Sequence, residues 1–62
     1  MRNHFVGEVL ALDRDCELGV NGERCVVVSM FNKYMMVVFP MRDAPKRREV
    51  RTGQDYAFLK AV

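Results

Sequence analysis

Few residues of this 62-residue chain have the right company for covalent chemistry. Ser29 is the single serine, set among apolar residues in "CVVVSMF" with no histidine near it in sequence, so it lacks the adjacent base that activates a hydroxyl. His4 is the single histidine and Cys16 and Cys25 are the two cysteines, one ligand short of the four that a closed zinc site uses. The eight carboxylates are scattered, mostly beside basic residues, and no pair marks a proton donor set against a base. The expectation is a protein that is not an enzyme and carries no metal and no cofactor.

Two other kinds of chemistry remain. Tyr34, inside "FNKYMMVVF", offers an aromatic face on which a nucleobase can stack. Residues 41–51, "MRDAPKRREVR", hold Arg42, Lys46, Arg47, Arg48 and Arg51 against Asp43 and Glu49, a local +3 in a chain whose net charge is +2. Such a block reads as a phosphate-facing patch, or equally as a solvated loop that keeps a small apolar protein dispersed.

The elements that must position these groups follow from pattern. A chain this short forms one domain, residues 1–62, and buries only about 60% of its unfolded surface, so association is a plausible source of further burial. From His4 to Asp13 the residues suit a strand with a bend at Gly7, and "DRD" interrupts it. Residues 16–20 resume an extended run, and Asn21-Gly22 is a strong hairpin signal. With a two-residue turn there, Leu18 rather than Cys16 falls opposite Cys25, which leaves both thiols reduced and structural. Next come a valine-rich strand to Phe31, a tight turn at Asn32 and Lys33, and a strand closed by Pro40. After the basic loop, "EVRT" suits a short strand. The tail from Gly53 is read as a fifth strand, with a short helix as the alternative because Thr52 and Asp55 have capping-box spacing. Five short strands in so few residues are expected to close into a barrel, which removes their edges.

The middle hairpin is apolar on both faces. Tyr34, Met36 and Val38 alternate with Met35, Val37 and Phe39, where a half-exposed strand would alternate with polar residues. Burying one such side chain is worth about 1.5–3 kcal/mol, so the pattern predicts that one face fills the core and the other meets a second subunit, or is covered by the tail or the N-terminal segment. Val27, Phe31, Val37 and Phe39 are assigned to core or subunit interface. No run approaches the ~18 uncharged apolar residues of a membrane span, so no membrane partner is expected. The opening residues form no signal-like apolar segment, from which a reducing, cytoplasmic location is expected.

With these elements placed, "FNKYMMVVF" resembles the end of the first motif of the Sm-like RNA-binding family (the Sm, Lsm and Hfq proteins). "LGVNGE" is similar to the glycine turn that opens that motif, and "VRTGQDYAFL" to the second motif. The resemblance covers residues 16–59. It implies an all-β fold, a small, strongly bent five-stranded Sm-like barrel assembled edge to edge into an oligomeric ring that binds single-stranded RNA. It places Asn32 at the motif's aspartate, Tyr34 as the base-stacking residue, Met36 at the base-reading asparagine, and Arg51, Gly53 and Gln54 in the facing turn. Lys46, Arg47 and Arg48 join Arg51 as phosphate contacts. Methionine makes none of the asparagine's hydrogen bonds, Thr52 is inserted between the arginine and the glycine, and "CVVV" stands where the first motif has its second glycine. A fainter resemblance links "APKRREV" to the carbon-storage regulators, small dimeric RNA-binding β proteins. A third reading is a protein-binding adaptor or inhibitor that uses the apolar hairpin to cap a larger protein.

Overall fold

A computed structural model describes residues 4–51 and 54–62, the side chains of Gln54 and Asp55 apart. The elements are β1 (Val9–Leu12), β2 (Arg24–Met30), β3 (Tyr34–Val38), β4 (Arg47–Arg51), a single helical turn α1 (Gln54–Ala57), and β5 (Leu59–Ala61). All pairings are antiparallel and the strand order is β4-β3-β2-β1-β5.

The period-two pattern sorts the side chains. Leu10, Leu12, Cys25, Val27, Met35, Val37, Val50 and Leu59 point inward and are almost completely buried, joined by Phe39 and by Leu18 from the loop after β1. Val27, Val37 and Phe39 thus take their expected core places, while Phe31 is 51% exposed. Around Val27 and Ser29 the register of β2 shifts, leaving Val28 as the extra residue of a bulge, so Ser29 rather than a valine lies opposite Met36. The second face of the hairpin is therefore less greasy than its sequence suggests. Val26, Met36 and Val38 on that face are half-buried.

The turns depart from expectation in one instructive place. Asn21-Gly22 does turn the chain, with the Glu23 amide donating to the Val20 carbonyl at 3.0 Å, but of the two turn residues Gly22 has positive φ (+88°) and Asn21 does not. That is the type II form, which requires glycine at its third position, and not the hairpin form with two left-handed residues. Consequently residues 16–20 do not pair with β2. The isolated Cys16–Gly19 bridge folds the segment on itself, β1 becomes the partner of β2, and Leu10 lies opposite Cys25. Both cysteines remain free. The bend expected at Gly7 is present (φ +94°), and the turn at Asn32 and Lys33 closes as expected, Phe31 N–H donating to the Tyr34 carbonyl at 2.9 Å.

The tail is both of the alternatives in succession, a turn of helix and then a strand, and Thr52 lies outside the described residues. Barrel closure is corrected. Among the described residues no ladder joins β4 to β5; the sheet is open, and α1 packs against both strands where the seam would be. Only three residues long, β5 is paired with β1 from Leu59 to Ala61, and the helical turn fills the remaining gap.

Candidate nucleic-acid interface

Register decides which of the candidate side chains meet. Tyr34 begins β3 and Arg51 ends β4, and the two are direct partners in the ladder. The Arg51 guanidinium lies 5.5 Å over the centre of the Tyr34 ring. Phe31, across the two-residue turn, stacks on the same ring at 4.6 Å and 19°. A ring that close fills one face of Tyr34, so the guanidinium takes the other, and such cation–π contact is favourable. Tyr34 is half-buried between them, and Phe31 is the more open of the two rings. Sequence pattern assigned Tyr34 a stacking role and Phe31 to core or subunit interface, whereas Phe31 stands exposed at the rim; the available signal was that an aromatic beside a turn stands where burial ends.

The remaining predicted residues divide. Asn32 is exposed at the turn next to Phe31. Met36 lies on the same face as Tyr34, opposite Glu49, whose carboxylate accepts from Arg51 at 2.9 Å. Arg47 pairs with Val38, also on this face. Arg48 pairs with Val37 on the core-facing side and is half-buried at the sheet margin, so the expected basic patch is split by the strand period. Lys46 is exposed just before β4, Gln54 begins α1, and Gly53 lies outside the described residues.

Arg42, counted above with the basic block, is structural. It donates to both oxygens of Glu23 (2.7 and 2.9 Å) and to the Leu18 carbonyl, and lies 4.1 Å over the Phe39 ring. Hydrogen bonding to Arg42 holds the Glu23 carboxyl below its usual range and raises the Arg42 pKa. At the opposite corner Arg14 donates to Asp13 at 2.9 Å, which lowers the Asp13 pKa, and Lys60 stands 3.9 Å from the same carboxylate. Burial pushes the Cys25 thiol up to about 11, which leaves it protonated and unreactive at neutral pH. His4, buried, meets Glu8 at 2.7 Å and the Tyr56 ring at 5.1 Å. Among the described residues no three His, Cys, Asp or Glu side chains are grouped to hold a metal ion, and no helix is long and apolar enough to cross a membrane.

Comparison with known proteins finds no match among family models, curated proteins or solved structures.

Proposed function

We propose that this protein binds single-stranded RNA at the rim where Phe31, Tyr34 and Arg51 meet. The observation that carries the reading is the exposed Phe31 ring, braced from behind by Tyr34, which is itself backed by a guanidinium. An exposed aromatic held flat is costly in water and suited to a stacked base, and stacking of this kind is worth about 1–3 kcal/mol per base. The braced arrangement spares the ordering cost that a free side chain would incur on binding. Met36 offers no donor or acceptor strong enough to read a base edge, so binding is sequence-tolerant. The reading includes self-association edge to edge, as in the Sm-like proteins, supported by β4 and β5 standing at the two ends of the sheet with no ladder joining them among the described residues.

Fluorescence anisotropy with a labelled eight-nucleotide oligouridine at low salt tests it. Binding is expected, with Phe31→Ala weakening it roughly five- to a hundred-fold, as loss of about 1–3 kcal/mol of stacking requires. Absence of binding, or a Phe31→Ala protein that binds like the parent, would overturn the proposal.

A further inference from the structure

The side of the sheet that carries Tyr34 and Arg51 faces away from the core, and its composition is legible row by row from the register. Beyond the Tyr34–Arg51 row lies Ser29–Met36–Glu49, then Val9–Val26–Val38–Arg47, and at the far end Lys60–Ala11–Arg24. The middle is apolar and only partly covered: Val9 is 41% exposed and Met36, Val26 and Val38 are half-buried. The charges around it are mostly of one sign. Arg51, Arg47, Arg24 and Lys60 are exposed on this face, against Glu49, which is tied to Arg51. At the Lys60 corner Asp13 pairs with Arg14 at 2.9 Å and with Lys60 at 3.9 Å, so one carboxylate is shared between two cations.

We infer that this outer sheet face is a path for a single-stranded nucleic acid, entering on Phe31 and leaving between Arg24 and Lys60. The inference rests on the function proposed above and extends it from one stacking site to a groove-free track. Charge complementarity chooses the occupant. A second copy of the chain would bring the same cationic rim against itself, whereas a polyanion with flat apolar bases meets both features, its phosphates at the arginines and its bases on the aliphatic rows. From Tyr34 to Val38 the track runs along β3 for about 13 Å at roughly 3.3 Å per residue, then crosses β2 and β1 at about 4.8 Å each. That length suits about four nucleotides, the lower end of the site sizes of small β-sheet binders. The contacts are to backbone and base faces, which RNA and single-stranded DNA share.

Oligouridine and oligothymidine of two to eight nucleotides, titrated against the parent and the Arg24→Ala/Lys60→Ala double variant, test the path. Both positions are exposed, and far-UV circular dichroism establishes that the variant keeps its fold. Affinity of the parent is expected to climb to about four nucleotides and then level off. The double variant should bind dinucleotides normally, lose roughly ten-fold or more on longer oligomers, and show a salt slope shallower by about 1.4, or 0.7 per lost phosphate contact. Arg48→Ala, on the other side of β4, should change none of this. If the double variant matches the parent on long oligomers while Phe31→Ala weakens them, the path is wrong and the stacking site stands. If no oligomer binds, both fall. Equal affinity for the two sugars accords with backbone and base-face contact; a strong preference for the ribose would overturn that assignment, since it requires reading of the 2′-hydroxyl.

Discussion

At the residue scale, the deciding facts are pairings that change what a side chain is free to do. Tyr34 is flanked by the Phe31 ring at 4.6 Å and by the Arg51 guanidinium at 5.5 Å, which hold it in place beside the more exposed Phe31. Glu49 neutralises Arg51 at 2.9 Å and sits in the middle of the proposed track. Replacing Glu49 with Gln should therefore tighten oligouridine binding by a few-fold and steepen its salt dependence, as one phosphate contact is released from competition. Unchanged affinity and slope would place Arg51 outside the contact surface. Cys25 makes a second prediction. With its thiol pushed up to about 11 and no exposed surface, it should react with a disulfide reagent at pH 8 only on unfolding, while the partly exposed Cys16 reacts in the native protein.

At the element scale, the loop between β1 and β2 is the largest irregular piece, and it is fastened at two points. One is the type II turn at Asn21-Gly22; the other is Arg42, which ties Glu23 and the Leu18 carbonyl to the loop after β3. Leu18 is thereby pressed into the core from a turn, without belonging to any strand. Gly22→Ala should cost about 1 kcal/mol, because the left-handed conformation at φ +88° penalises a β-carbon. Arg42→Ala should cost about 1–2 kcal/mol in chemical denaturation, the scale of a partly exposed, doubly hydrogen-bonded ion pair. The clamp also has a pH signature. Because the Glu23 carboxyl is held below its ordinary 4.5 in the folded state, its contribution is fully present above that value. It is lost as pH falls through the lowered folded value, where protonation breaks the pair. Stability of the parent should decline below about pH 4.5 more steeply than that of Arg42→Ala; parallel curves would show that the clamp does not govern the acid limb.

On the scale of the whole molecule, the sheet ends at two edges of different character. β4 presents Arg47, Glu49 and Arg51, charges of the sort that discourage indiscriminate strand addition, and β5 offers only three residues. Edge-to-edge assembly must therefore match those charges across the seam, and it should weaken as salt screens them. Native mass spectrometry at low and moderate ionic strength reads this directly. A closed species of several chains that dissociates with salt supports the ring, while a monomer at all concentrations removes assembly from the reading.

Much of the architecture was legible along the chain because β-sheet formation from alternating side chains is a local code. The core places of Val27, Val37 and Phe39, the turn at Asn32 and Lys33, the bend at Gly7 and the buried, unbridged Cys25 follow from residue type and spacing, whereas which face of the doubly apolar hairpin turns inward does not. The rest depends on which strand lies next to which, and that is settled by packing between residues far apart in sequence. The pairing of β1 rather than residues 16–20 with β2, the open seam filled by α1, and the capture of Arg42 by Glu23 are of this kind. So is the surface proposed to bind nucleic acid. Sequence put five basic residues into one segment, but the strand period sent Arg47 and Arg48 to opposite sides and register brought Arg51 onto Tyr34. A run of charge records composition, whereas a face is made only when neighbouring strands align their alternate residues.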